Sequence, residues 1–324
     1  MYVLLVGAGN MAAEYVKVLD KFNVDYSMIG RSEESATAFE KRTGKLVLTG
    51  GLEVAYARLV EQPTHAIVAT TLESLEENTL YLLEKGVKQI LVEKPGALSN
   101  EGMNKIMQSA DKHGANVYIA YNRRFYASVM AASKLIKEDG GLTSFLFEFT
   151  EWSHIVGGLN KTPTQLDNWF IGNSTHVVDL AFFFGGKPKE ISSYTTSTLE
   201  WHPKGSIYAG AGVTEKKIFF SYHANWQAPG SWKLELLTNM NRYIFRPLEE
   251  LHVQKIGSAT IENVEIEDRL DVQYKPGLYE QTAAFLFQTE LSDRLLRVKE
   301  ALMLMHIYER MNDKGSEMTL SSRN

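Results

Sequence analysis

Two short segments of this chain hold side chains suited to moving protons. Lys94 lies in Val92-Glu93-Lys94-Pro95, and His176 lies in Asn173-Ser174-Thr175-His176-Val177-Val178-Asp179. Between them comes Tyr121-Asn122-Arg123-Arg124-Phe125, which adds an amide and two guanidinium groups. A reaction at a hydroxyl or carbonyl needs a proton donor or acceptor within hydrogen-bond reach, and lysine and histidine both qualify. A lysine acts as a base only where desolvation or nearby positive charge disfavours its ammonium form. His176 falls in the first turn of a helix expected to be capped by Asn173 or Ser174, where the helix dipole favours neutral imidazole. Each residue also fits a structural role. Lys94 can be a loop lysine, Arg123 and Arg124 surface charges, and His176 a satisfied helix histidine.

The elements that must position these groups begin with a glycine turn. Gly7-Ala8-Gly9-Asn10-Met11-Ala12 follows an apolar run at residues 2–6 and opens an amphipathic run at 11–22. This is G-x-G-x-x-(G/A) between a strand and a helix. The first glycine makes the tight turn, the second admits a pyrophosphate, and the small third residue allows close packing of helix on strand. The context makes the turn a dinucleotide site holding Gly7, Gly9, Asn10, Met11 and Ala12. An acidic residue usually ends the second strand of an NAD site. Here Ile29-Gly30-Arg31-Ser32 stands in its place, so Arg31 and Ser32 point to a 2′-phosphate and to NADP ahead of NAD, with Glu33 and Glu34 arguing the other way and a solvated loop Arg as the alternative.

Short continuous apolar runs at 2–6, 26–29, 65–70, 89–92 and 116–120 alternate with helical stretches at 11–22, 32–42, 72–85 and 100–113. Continuous runs of that kind mark strands buried on both faces of a parallel sheet. Catalytic groups in such sheets gather beyond the carboxyl ends of the strands. That edge holds Thr70 and Thr71, Glu93, Lys94 and Pro95, and then Asn122. After Tyr121 the pattern changes. Residues 144–152, 216–224 and 231–237 alternate between apolar and polar side chains, as in an open antiparallel sheet. Helices are expected at 125–137, 174–184, 279–289 and 293–311, with a polar, frayed tail from Gly315. The fold class is therefore α/β: an N-terminal Rossmann parallel sheet over residues 1–121, then an α+β domain with an open, mostly antiparallel sheet over 122–324.

Composition excludes several alternatives. The chain has 324 residues, a formal net charge of -5 and no cysteine. Disulfides, thiolate-held metals and a thiol nucleophile are ruled out, and no metal site is expected. A mildly acidic chain is a poor nucleic-acid binder. No run reaches the roughly 18 apolar residues of a membrane span, and the first residues do not read as a secretory signal, so a cytoplasmic protein is expected.

Taken in order, GAGNMA, EKP, NRRF and H-x-x-D resemble the glucose–fructose oxidoreductase and inositol dehydrogenase (Gfo/Idh/MocA) family. The resemblance is strongest in the first 125 residues and at His176–Asp179. It implies a Rossmann domain paired with a substrate domain whose sheet forms a homodimer or homotetramer. It also implies an NAD(P)-dependent oxidoreductase of a sugar, polyol or nucleotide-linked sugar, with Lys94 on the reacting oxygen and His176 beside the reacting carbon. Many members carry Asp four residues before that His, in D-x-G-x-H-x-x-D, and here the position is Gly172. Either Lys94 and His176 carry the proton transfer, or the chain has left dehydrogenase chemistry and serves as a dinucleotide-binding sensor or scaffold. Reduction of an imine or tetrapyrrole is a further alternative. Asp179, one turn from His176, either orients it or packs the helix. Candidate substrate contacts are Lys94, Asn122, Arg123, Trp152, His154, Lys161, Asn173 and His176. Arg123, Arg124 and Lys161 would suit an anionic substrate, and residues 275–279 would close the site from the other side.

Overall fold

The computed structural model describes residues 1–313, and the tail expected to fray lies outside them. The chain alternates β1 (Tyr2–Val6), α1 (Asn10–Phe22), β2 (Asp25–Ile29), α2 (Glu33–Thr43), α3 (Gly51–Tyr56) and β3 (His65–Val68). It continues through α4 (Leu75–Glu84), β4 (Gln89–Glu93), α5 (Asn100–His113), β5 (Asn116–Ala120) and α6 (Ala127–Glu138). Next come β6 (Ser144–Phe149), α7 (Ser153–Val156), α8 (Pro163–Asp167) and α9 (Thr175–Gly185), then β7 (Pro188–Thr196), β8 (Ile207–Thr214) and β9 (Phe219–Asn225). The strands β10 (Trp232–Leu237), β11 (Asn241–Phe245), β12 (His252–Lys255) and β13 (Ile261–Asn263) follow. The described chain closes with α10 (Arg269–Gln273), α11 (Leu278–Phe287), β14 (Leu296–Arg297) and α12 (Val298–Asn312).

Two compact units form. The first comprises Met1–Leu135, Glu249–Leu251 and Val264–Met305. Its six-stranded sheet has the order β14-β5-β4-β3-β1-β2. Strands β1 to β5 are parallel, and β14 joins β5 antiparallel through Leu296 and Arg297. The continuous apolar runs are buried on both faces, with Val3, Leu4, Ile67, Leu91 and Val92 fully enclosed. Helix boundaries follow local chemistry: Ser32 accepts from the Ser35 amide to cap α2, and Gly44 ends that helix at φ 72°. Helix α11, expected with the second domain, packs in this first unit, where Leu278, Ala284 and Phe285 join Ala12, Val16 and Leu19 in one core. The helix expected from residue 293 begins only at Val298, because Leu296 and Arg297 extend to pair with Ile119 and Tyr118.

The second unit comprises Ile136–Leu248, His252–Asn263 and, among the described residues, 306–313. Its eight-stranded sheet runs β13-β12-β11-β10-β6-β9-β8-β7. All pairings are antiparallel except β6 with β9. The inward face carries Phe145, Phe147, Phe149, Phe220 and Tyr222, all buried. Helix α9 covers this face: a Cβ at Gly185 would stand 2.1 Å from the Phe145 ring, so only glycine fits there.

One half-buried acid ties two helix starts in the first unit. Asp271 accepts from the Ala127 amide at 2.7 Å and from the Gly277 amide at 2.7 Å, which starts both α6 and α11. Burial pushes its carboxyl above the ordinary value despite both bonds. Asp271→Ala should lower the urea midpoint by an amount equivalent to about 1–3 kcal/mol, with an unchanged slope. Asp271→Asn keeps one acceptor and should cost less, and equal stability for all three proteins would remove the proposed role.

Candidate active site

The glycine turn is built by backbone proximity. Gly7 has φ 125°, and a Cβ there would lie 2.3 Å from the Ala69 carbonyl oxygen. Its amide donates to Ile29 O at 2.8 Å, so the exits of β1, β2 and β3 meet at this residue. Gly9 differs, since a Cβ on it would meet nothing within 4 Å. It forms the N-cap of α1 without any side-chain cap. The first amides of a helix have no intrahelical acceptor, so this open, uncapped helix start fits a dinucleotide phosphate. Asn10 is exposed and Met11 half-buried, while Ala12 is fully buried against the sheet.

The second-strand exit is more crowded than its sequence suggests. Ser32 is committed to capping α2, and its hydroxyl also meets that of Ser35 at 2.9 Å. Arg31 is exposed. Glu33 is engaged by the Thr49 hydroxyl. Arg42, which the sequence did not single out, reaches back from α2 to the turn. It donates to Asn10 Oδ1 at 2.7 Å and to Gly9 O at 3.0 Å. At the third exit, Thr70 is half-buried and accepts from Asn78, and Thr71 is exposed beside Ser74.

The β4 exit places Lys94 half-buried, one residue after a buried acid and before a cis peptide to Pro95. Glu93 accepts from the Tyr15 hydroxyl of α1 at 2.9 Å. Burial pushes its carboxyl above the ordinary 4.5, although the charge of Lys94, the Tyr15 bond and the charge of Lys275 oppose this. Lys275 thus acts electrostatically on the strand end from the expected closing segment. Asn122 is buried, and its amide donates to Pro276 O at 2.8 Å. Arg123 lies over the Tyr126 ring. Arg124 is turned inward: it is 7% exposed and exchanges guanidinium-to-carbonyl bonds with Arg294, far along the sequence. Its carbonyl accepts from Arg294, and its own guanidinium faces the Arg294 carbonyl.

In the second unit the approach to His176 is a π turn, Phe170–Ser174, running straight into α9. π turns often mark functional sites. His176 is buried at 5% exposure, and Asp179 is fully buried one turn on. The expected capping of this helix by Asn173 or Ser174 does not occur. Both side chains turn to Glu151 instead: Ser174 Oγ donates to Oε1 at 2.7 Å, and Asn173 Nδ2 lies 3.1 Å from each oxygen. Burial pushes the Glu151 carboxyl above its ordinary value, opposed by these donors and by the Trp232 indole. The Trp169 indole nitrogen faces the same carboxylate without closing a bond of good geometry. Trp232 also lies beside His176, ring centroids 6.1 Å apart. The sequence reading missed Glu151, although its register held the clue: the inward positions 145, 147 and 149 continue to 151. Trp152 is 57% exposed with its indole bonded to Gly230 O, and His154 and Lys161 are exposed on the same stretch.

Residues 1–121 match the sequence model of the GFO/IDH/MocA group, an oxidoreductase family with an NAD-binding Rossmann fold. Over those residues the chain is similar to the NAD-binding domain of that family. No curated protein sequence matches the chain. The fold of the whole chain is that of several solved dehydrogenases. Levoglucosan dehydrogenase in complex with NADH and L-sorbose superposes with a TM-score of 0.78 at 16% identity, covering 97% of this chain and 96% of that one. An oxidoreductase from Agrobacterium radiobacter, in complex with NAD+, L-tartaric acid and magnesium, gives 0.75 at 13% identity over 95% and 94%. UDP-N-acetylglucosamine 3-dehydrogenase from Acidithiobacillus ferrooxidans gives 0.75 at 12% identity over 97% and 98%. Among the described residues no helix is long and apolar enough to cross a membrane, and no cluster of His, Asp or Glu is placed to hold a metal ion.

The two glycines of the Gfo/Idh/MocA turn should respond differently to a methyl group. Gly9→Ala leaves the fold untouched but obstructs the phosphates, so NAD(H) affinity should fall roughly ten-fold or more while the melting temperature without cofactor holds. Gly7→Ala meets the Ala69 carbonyl and should lower the melting temperature itself. Fluorescence titration and thermal melts distinguish the two, and equal behaviour would contradict the assignment.

Glu93 binds its proton more tightly in the folded chain than in the unfolded one. Its stabilising contribution is complete below the ordinary 4.5 and is lost as pH rises through the higher folded value. Glu93→Gln stays neutral, so its stability relative to the wild type should improve between about pH 4 and about pH 7. Urea unfolding across that range would show a constant gap if the shift were absent.

Proposed function

We propose that the protein is an NAD(P)-dependent oxidoreductase that moves a hydride to or from a sugar, polyol or nucleotide-linked sugar, at a C–OH/C=O pair. One observation carries this reading. In a domain of the NAD-binding family, Lys94 leaves the carboxyl end of β4, directly after the buried Glu93–Tyr15 pair that ties this exit to the phosphate-binding helix. The bound dinucleotide supplies the hydride donor or acceptor. Lys94 takes the hydroxyl proton during oxidation and returns it during reduction. His176, in the first turn of α9, is the second proton-handling group. Asn122, Arg123, Trp152, His154, Lys161 and Asn173 are the proposed substrate contacts.

For the cofactor we favour NADP over NAD. Arg31 at the β2 exit supports this, as does the engagement of Glu33 with Thr49. Residues 1–121 are assigned to the dinucleotide, and 122–324 to substrate binding and oligomerisation. A homodimer or homotetramer through the second sheet is supported by the exposed Phe219 of β9 and Tyr194 of β7. The proposed compartment is the cytoplasm.

A panel of sugars, polyols and nucleotide sugars, incubated with NADP or NAD, tests the reading through nicotinamide absorbance. Turnover is expected with at least one member, and Lys94→Ala should reduce kcat by roughly 10²–10⁴-fold while cofactor still binds. Tight cofactor binding with no turnover anywhere would favour the second reading, a dinucleotide-binding sensor or scaffold. Gly172, where many family members carry Asp, is the observation behind that alternative.

A further inference from the structure

Glu151 occupies a position where the strand pattern calls for an apolar residue. The inward face of β6 carries Phe145, Phe147 and Phe149, and Glu151 continues that register at 6% exposure of its side chain's residue. A buried carboxylate is costly unless its oxygens are well supplied with donors. Here they are: Ser174 Oγ at 2.7 Å, Asn173 Nδ2 at 3.1 Å from both oxygens, and the Trp232 indole.

These donors flank His176 from two sides. Asn173 and Ser174 end the π turn from which α9 springs, and His176 is the second residue of that helix. Trp232 enters from the start of β10, where it pairs with Phe149, and its ring lies beside the imidazole. Gly172 has no side chain to offer a carboxylate in this turn. We propose that Glu151 is a positioning residue for His176: from the end of β6 its carboxylate fixes both the turn preceding the helix and the indole beside the ring, and so sets the orientation of the imidazole. The inference rests on the role proposed above for His176, and it supplies a carboxylate to that neighbourhood from a different element than the helix approach.

The charge and reach of the group are what the proposal requires. Glu151→Gln conserves volume but turns one acceptor into a donor facing the Asn173 amide. Glu151→Asp keeps the charge and withdraws it by one methylene. Labelled with ¹⁵N, wild type and both variants would be compared by the His ring and Trp indole signals, with His176 assigned through His176→Gln. In Glu151→Gln the His176 ring and Trp232 indole signals should shift, while those of His65 and His113 in the first unit stay in place. On whichever substrate the panel identifies, kcat should fall roughly 10²-fold with KM for the cofactor unchanged, and Glu151→Asp should recover part of both effects. A folded Glu151→Gln with unmoved His176 and Trp232 signals overturns the proposal, as does one with full kcat. If Glu151→Gln does not fold, Glu151→Asp carries the same two readouts. Should the wild type turn over nothing, the NMR arm still decides the positioning role, so loss of the oxidoreductase reading and loss of this inference give different results.

Discussion

The approach of Gly7 to the Ala69 carbonyl organises the first unit. No side chain fits between them, so the exit of β1 lies directly against the exit of β3, and the Gly7 amide holds the exit of β2 as well. Strand β1 has β3 on one side and β2 on the other, so the chain reverses its direction of travel across the sheet at this point. Parallel α/β sheets bind ligands at such a reversal. With five parallel strands, the turn at 7–12, Arg31, Thr70, Lys94 and Asn122 all leave by the same edge. Their juxtaposition comes from topology. Individual contacts then refine it: Tyr15 with Glu93, Arg42 with Asn10, and Asn122 with Pro276.

Local signals made the first unit readable. Its strands are continuous apolar runs, and helices α2 and α5 begin at capping serines and end at glycines that adopt positive φ, Gly44 and Gly114. Those determinants lie within a few residues of the boundaries they set. The second sheet was harder. Strand β8 reads Ile-Tyr-Ala-Gly-Ala-Gly-Val-Thr, and its glycines are there because Tyr222 and Phe220 lie across them. Small residues chosen by a neighbouring strand erase the alternation that would reveal their own. Strand β14 failed for a related reason, because its two residues take their conformation from β5, far away in sequence.

The site divides along the same line. Lys94 and His176 stand out by type and by the element that bears them. Arg124 stands out equally, yet the Arg294 backbone, 170 residues away, draws it into the interior. The capping expected of Asn173 and Ser174 is sound local chemistry, but a buried carboxylate is a stronger acceptor partner than a helix amide is a donor. Glu151 was present in the register of β6. What sequence alone lacks is the set of donors that makes an acid tolerable on an apolar face.

That tolerance bears on why the acids are there. Glu93 and Glu151 are both buried, both pushed toward protonation by their surroundings, and both satisfied by hydroxyl, amide or indole donors. Replacing such a group and its partners with packed apolar side chains is often neutral or stabilising. A phenylalanine or leucine at 151 would simply extend the face made by Phe145, Phe147 and Phe149. Folding stability therefore gives little reason for either acid. Each one, however, lies next to a proposed proton-handling residue or to the turn that leads to it. Glu93 immediately precedes Lys94 and is anchored to helix α1, while Glu151 is anchored to the turn that leads to His176. A stability cost repeated at two unrelated strand ends, each time beside a residue proposed to handle protons, is what a fold shows when it gives up folding free energy to hold side chains in one orientation.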